Sequence, residues 1–124
     1  MIGGNYMYID KQNTFFYKQA VTANVSSDVV MNGNGGDAEE SLWLVIRIDK
    51  DVTGTPLFNL YTSSTENIAN AVLLHGITLA ANAKAGTKVA VRLSSGAKKY
   101  LKLNANNMTA GTITAFLTPD VRLV

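Results

Sequence analysis

The sequence predicts an all-β domain, and three observations support that prediction. Residues 41–49 alternate apolar side chains with a period of two, as a strand with one buried face does. Shorter alternating stretches recur about every eight to twelve residues, with Gly, Asn, Asp and Ser between them. Of the 124 residues, 47% are hydrophobic and none is cysteine, so we expect one core without disulfides. Short strands that recur every eight to twelve residues are typical of a β-sandwich or a β-barrel.

The first 19 residues differ in composition from the rest of the chain. Five of the nine Phe and Tyr residues lie there, at a spacing that fits neither a regular helix nor a regular strand. Two interpretations stay open: the segment packs over its own domain, or it reaches into a partner protein. We therefore divide the chain into an N-terminal arm, residues 1–19, and a β-domain, residues 20–124. The aromatic residues expected at a protein interface are Tyr6, Tyr8, Phe15, Phe16, Tyr17 and, from the central strand, Trp43.

The next elements are a first strand, a turn and the central strand. Residues 21–31 alternate loosely, and the Asn- and Gly-rich residues 32–40 predict a turn. That turn carries oxygen ligands of the kind calcium prefers, but without the spacing of an EF-hand, so we interpret it as a plain turn. One face of the central strand points to the core through Leu42, Leu44, Ile46 and Ile48. The other face, with Trp43, Val45, Arg47 and Asp49, is expected to be half covered, by a neighbouring subunit for example.

The remaining strands are shorter. Residues 57–62 predict a third strand, and residues 68–80 fit either a helix or strands, of which Gly76 and the β-branched residue after it favour strands. Further strands are expected at residues 87–94, 100–104 and 112–118, with Leu101 and Leu103 in the core. Pro119 ends the last one, because proline cannot donate a hydrogen bond to a ladder.

Catalytic chemistry has little support in the residues. His75 is the only histidine, so a metal centre or a Ser-His-Asp site would have to depend on it alone. The acid pairs Glu39 with Glu40 and Asp49 with Asp51 do not predict two carboxylates facing each other across a cleft. We therefore expect no enzyme activity, no metal and no cofactor.

Charge and hydropathy bear on partners. The net charge of +2 is too small to predict nucleic-acid binding, and Lys98, Lys99 and Lys102 are interpreted as the solvated face of a strand.

No stretch approaches about 18 consecutive apolar residues, so no membrane span is predicted. The N-terminus lacks the basic and apolar regions of a secretion signal. Only 16% of the residues are charged, which favours a surface covered by protein in the working state. Sugar binding would use exposed aromatics such as Trp43 or Tyr61.

Five stretches of sequence resemble the Bbp16-like capsid cement proteins of tailed bacteriophages. Residues 85–93, 99–104 and 109–117 are similar to the family's "AGT…V.RLP.G..RYLRLNY" and "TAGTVTAGLV" blocks. Residues 9–27 look like its opening "IDAQ..FSDAQAVTATAAST", and residues 40–49 look like its "GEPLYLVV..D" strand. Together the similar blocks cover nearly all of residues 8–121, in the same order.

The resemblance implies a jelly-roll-like antiparallel β-sandwich of about eight short strands. It implies a structural virion protein that is made in the cytoplasm of a bacterial host and binds the outer surface of the phage head. There it would join neighbouring major capsid protein subunits, as a homodimer or, as a second possibility, a trimer. It implies no catalysis, no cofactor, no direct nucleic-acid contact and no membrane contact. The alternative is a carbohydrate-binding jelly-roll module on a virion or tail.

Overall fold

The computed structural model describes residues 13–31 and 42–119, and every regular element among them is a strand. The strands are β1 (Thr14–Ala20), β2 (Val25–Ser26), β3 (Val30–Met31), β4 (Trp43–Ser63), β5 (Val72–Thr78), β6 (Lys88–Arg92) and β7 (Tyr100–Thr118). All of their pairings are antiparallel, within one sheet. The prediction of an all-β antiparallel fold is confirmed.

Two long strands form the centre of the sheet. β4 and β7 pair along almost their whole length, from Trp43 opposite Thr118 to Ser63 opposite Tyr100. β1, β2 and β3 follow one another along the outer side of β7, and β6 and β5 lie along the outer side of β4. The sheet therefore consists of four chain segments in the order 14–31, β7, β4 and 72–92.

Backbone hydrogen bonds continue these ladders through the stretches between the short strands. Val21 donates to the Gly111 carbonyl at 3.0 Å, beyond the end of β1. On the other side of the sheet, Val52 donates to the Ala83 carbonyl at 2.9 Å, in the connection between β5 and β6. Buried backbone groups need such partners, so the outer segments follow the central strands without leaving them.

The centre of the long pair is bent. The β4–β7 register shifts four times between Ile48 and Leu57, and bulges of this kind bend a strand and increase its twist. Gly111 has a φ of 123°, and a Cβ atom there would lie 2.5 Å from Val52 Cγ1. Gly54 has a φ of 109°, and a Cβ atom there would overlap the carbonyl oxygen of Asn107. Only glycine permits both the positive φ and the close approach of the two backbones.

The bend divides the sheet into two half-sheets. The first half-sheet contains β1, β6, residues 43–48 of β4 and residues 112–118 of β7. The second half-sheet contains β2, β3, β5, residues 57–63 of β4 and residues 100–106 of β7.

One face of both half-sheets lines a single hydrophobic core. β4 contributes even-numbered residues to it and β7 contributes odd-numbered ones near its two ends, since side chains alternate along a strand. The core residues of these strands include Leu44, Ile46, Ile48, Phe58, Leu60, Leu101, Leu103, Ile113, Ala115 and Leu117. A sheet whose two halves share one core must curl around it. The curled arrangement is compatible with the predicted sandwich, and the stacking of two separate sheets stays a prediction.

Several predicted strands are parts of longer ones. Residues 41–49 and 57–62 lie mainly in β4, while 100–104 and 112–118 lie in β7. The predicted first strand, 21–31, contains the two short strands β2 and β3. The described residues have seven strands, and about eight were expected. The bulges allow each strand to continue through a polar, glycine-containing stretch that resembles a loop in sequence. The ambiguous residues 68–80 contain β5, which confirms the choice of strand over helix there.

The predicted boundary between arm and domain at residues 19 and 20 falls inside β1. Phe15 and Phe16 are only 6% and 3% exposed and belong to the core. Residues 14–19 are therefore part of the sheet. For them the interpretation that the segment packs on its own domain is confirmed, and the boundary between arm and domain at residues 19 and 20 is wrong. The sequence did not show this because a register shift interrupts the alternation within β1. Residues 1–12, with Tyr6 and Tyr8, lie outside the described residues, as does the predicted turn at 32–40.

An aspartate joins the β5–β6 connection to the bend. Asp51 Oδ1 accepts a hydrogen bond from the Ala85 backbone N–H at 2.8 Å, and its other oxygen lies 3.6 Å from Lys84 Nζ. The Ala85 hydrogen bond, with a smaller contribution from the Lys84 charge, holds the pKa of the Asp51 carboxyl below its ordinary value of 3.8.

Replacing Gly111 with alanine should destabilise the protein more than replacing Gly86. Both glycines have positive φ, but a Cβ atom at Gly86 meets nothing within 4 Å, so G86A measures backbone strain alone. We expect G86A to cost about 1 kcal/mol and G111A roughly 2 kcal/mol more, because its Cβ overlaps Val52. Urea unfolding midpoints of the two variants give the comparison. Equal losses would mean that β7 and β4 do not approach closely at the bend.

Asp51→Asn should remove part of the acid sensitivity of folding. A carboxyl whose pKa is lower in the folded state adds stability above its unfolded pKa, and this stability is lost as the pH falls through the folded pKa. The stability difference between wild type and D51N should therefore be present at pH 7 and shrink below about pH 4. Urea midpoints at several pH values measure it. Lys84→Met is the control, because it keeps the Ala85 hydrogen bond and should have the smaller effect.

Candidate protein interface

The outer face of the first half-sheet, where Trp43 lies, is largely covered within the chain itself. Val45 is 0% exposed and lies opposite Phe116, which is also buried. Thr114 and Thr118, on the same face of β7, are buried as well. The expectation that Val45 is available to a neighbouring subunit is therefore wrong, because both faces of the sheet are buried at this position. Trp43, at the end of β4, is half-buried and keeps part of its surface exposed.

A polar network follows Val45 on this outer face. Asp49 Oδ1 accepts a hydrogen bond from Arg47 Nε at 2.9 Å, and Asp49 Oδ2 accepts one from the Thr114 hydroxyl. Thr114 Oγ1 in turn accepts the backbone N–H of Lys18, in β1, at 3.0 Å. The network connects three neighbouring strands. Asp49 is thus a structural acceptor and does not act with Asp51, which is bound to Ala85.

His75, the other residue considered for a catalytic or metal site, also has a structural role. His75 Nε2 accepts a hydrogen bond from the backbone N–H of Ser94 at 3.2 Å, which connects β5 to the turn after β6. Within the two described ranges, no three His, Asp or Glu side chains gather as metal ligands would. The same residues contain no helix long and apolar enough to cross a membrane.

The structure separates the predicted interface residues. Tyr17 is 60% exposed, with Lys18 Nζ 5.4 Å from its ring centroid, and Trp43 is partly exposed. Phe15 and Phe16 belong to the core, so their assignment to an interface is wrong: their apolar surface is already buried within the domain. β7 lies between the strands that carry Tyr17 and Trp43. The predicted residues therefore do not form one patch among the described residues.

The second half-sheet has a surface that sequence reasoning did not find. Cross-strand partners share a face, so Met31 lies beside Tyr100, while Tyr61 lies between Lys102 and Leu73. Met31 is 48% exposed and Leu73 is 52% exposed, and the other three side chains are half-buried. We call these five residues the open face.

The open face is apolar and aromatic with a basic margin. Lys99 Nζ lies 5.6 Å from the centroid of the Tyr100 ring, and Lys102 is on the face itself. None of the strand residues of the second half-sheet is Asp or Glu. A surface of Tyr, Met and Leu with few charges has the composition of the centre of a protein interface.

Part of this surface had a signal in the sequence. The alternation of residues 100–104 correctly put Leu101 and Leu103 in the core and Lys102 outside. Met31 and Leu73 were missed because each lies in a stretch whose alternation is weak. Their exposure depends on which strand they pair with, and that is a tertiary property.

No family model matches the chain, and no curated protein matches it. The resemblance to the Bbp16-like capsid cement proteins therefore stays a prediction.

Aspartate at Trp43 should be tolerated by the fold, whereas aspartate at Val45 should not. Burying an unpaired charge at a fully buried position should cost more than about 3 kcal/mol, and W43D should cost less than about 2 kcal/mol because Trp43 has access to solvent. Thermal unfolding followed by circular dichroism compares the two variants. If W43D unfolds like V45D, Trp43 belongs to the domain interior and is no candidate for contact with a partner.

Proposed function

We propose that this protein is a capsid cement protein that binds the outer surface of a tailed-phage head and joins neighbouring major capsid protein subunits. The observation that carries the proposal is the open face: Met31, Tyr61, Leu73 and Tyr100 present apolar surface on a sheet whose other outer face is covered. The resemblance in sequence supports the same function. The proposal includes self-association. It includes no catalysis, because the carboxylates of Asp49 and Asp51 are ion-paired and hydrogen-bonded within the fold, and His75 accepts a structural hydrogen bond.

The size of the open face suits this function. Five side chains on one half-sheet make a small contact, which alone would bind weakly. On a shell with many equivalent positions, contacts held by one rigid domain to two subunits gain strength through effective concentration. A cement protein therefore needs a rigid domain with modest, repeated contacts, and the continuous β4–β7 ladder supplies the rigidity.

A carbohydrate-binding module is the second candidate, and one observation favours it. Asn59 and Asn104 pair on the same outer face, next to Tyr61 and Lys102 along their strands. The Asn59 amide beside the Tyr61 ring can hydrogen-bond a sugar, whereas Asn104 Oδ1 is buried. We rank this function lower because Met31 and Leu73 add exposed apolar surface that a polar sugar does not use.

Heads assembled with and without this protein provide the direct test. If the protein joins capsid subunits, heads that lack it should release DNA at a lower temperature, and adding the purified protein back should restore the wild-type temperature. Nuclease-accessible DNA measured over a temperature series gives the readout. Equal release temperatures would contradict the cement function. Binding to host cell-wall glycan but not to heads would favour the carbohydrate module.

Met31→Asp should weaken head binding without affecting folding. Met31 is exposed and lies on the open face, in β3, at the opposite edge of the sheet from β5. A charge there must be desolvated in the contact, so we expect a loss of about tenfold or more in affinity. Thr109→Asp, exposed near the bend, is the matched control and should bind normally. Co-sedimentation of each variant with stripped heads measures binding, and equal affinities for the two variants would exclude the open face as the contact.

A further inference from the structure

The edge strands of this sheet differ in how well they are protected against pairing with another chain. β1 and β5 end the order of strands, and β6, β2 and β3 also pair on one side only. An exposed edge invites pairing with another chain unless charges, bulges or short length prevent it. β6 carries a basic residue at each end, Lys88 and Arg92. β1 carries Lys18, at a φ of 48°, inside the second of its two register shifts, and β2 and β3 have two residues each.

β5 has none of these charges and is not short. Its seven residues, Val-Leu-Leu-His-Gly-Ile-Thr, include no Lys, Arg, Asp, Glu or Pro. Val72 and Leu73, which begin it, are large apolar residues and are each 52% exposed. β5 has one register shift, at which Leu74 is the extra residue, and its other six residues each pair with a residue of β4. Among the described strands, β5 is the one that is long, uncharged and apolar at an edge.

We infer that β5 is a self-pairing edge, at which β5 of a second copy of this chain adds antiparallel across a two-fold axis. The absence of charge on β5 favours a second copy at this place. A strand of the same sequence brings no Lys, Arg, Asp or Glu to the edge, so two β5 strands can pair without repulsion between like charges.

The sequence of β5 is also complementary to itself. Val72 and Ile77 pair with Thr62 and Phe58, which share the core-facing side of β4, whereas Leu73 and Gly76 pair with residues of its outer side. One register of an antiparallel pair of two β5 strands keeps like faces together and aligns Val72 with Ile77 of the second copy and Leu73 with Gly76 of the second copy. The aliphatic pair packs on one face. On the other face, glycine has no side chain, which leaves room for Leu73.

This inference deepens the proposed function by naming the surface through which two copies join, and it is tested on the isolated protein so that head binding plays no part. The mass of the full chain is measured by sedimentation equilibrium over a wide range of concentrations. We expect it to rise from 13.3 kDa toward twice that value. Amide hydrogen exchange of residues 72–78 should slow over the same concentrations.

Lysine substitutions on β5 and on β6 provide the test variants and their matched control. Leu73→Lys should raise the dissociation constant of the dimer at least about tenfold, because a lysine on an edge strand opposes pairing. Thr78→Lys, at the exposed far end of β5 and outside the open face, should act in the same direction. Ala90→Lys, exposed on β6, should leave self-association unchanged.

Three results would overturn the inference. One is a mass of 13.3 kDa at every concentration. The second is equal weakening by A90K and L73K, which would place the contact elsewhere. The third is a dimer with no protection of residues 72–78. Head binding by a protein that stays monomeric would support the capsid contact and contradict this interface, whereas a dimer through β5 that does not bind heads would support the interface and contradict the capsid contact.

Discussion

The structure depends on the bent pairing of β4 with β7. These two strands provide most of the core, and each outer segment of the sheet is hydrogen-bonded to one of them. The pair can bend because Gly54 and Gly111 adopt positive φ where the two backbones approach closely. Without the bend, the core-facing sides of the two half-sheets would lie in one plane and could not enclose a single core.

The bend also explains why the two outer faces differ. On the first half-sheet, Val45 and Phe116 are buried, and Asp49, Arg47 and Thr114 form a network that satisfies its polar groups. On the second half-sheet, Met31 and Leu73 remain exposed. A chain of this size has limited surface with which to cover both sides of its sheet. The uncovered side is where contact with another molecule gains most, since its apolar area is still in water.

The open face and the β5 edge meet at Leu73, but they imply different kinds of contact. The open face offers side chains and suits a partner with a complementary surface. The edge offers backbone groups, which require an extended strand and are selective for its register. A domain that pairs with its copy along one edge keeps the remaining open faces in a fixed relation to each other. Under the proposed function, two such faces at one position on a shell would contact two capsid subunits at once.

Sequence alone determined the fold class and the faces of the best strands. The alternation of Leu44, Ile46 and Ile48, and of Leu101 and Leu103, identified core residues correctly, because a period of two is a local property of a strand. The tertiary structure decided which short strands join into β4 and β7, since bulges allow pairing to continue through loop-like residues. It also decided that Phe15, Phe16 and Val45 are buried and that Met31 and Leu73 are exposed. Burial depends on which distant segments lie above a strand, and no local pattern contains that information.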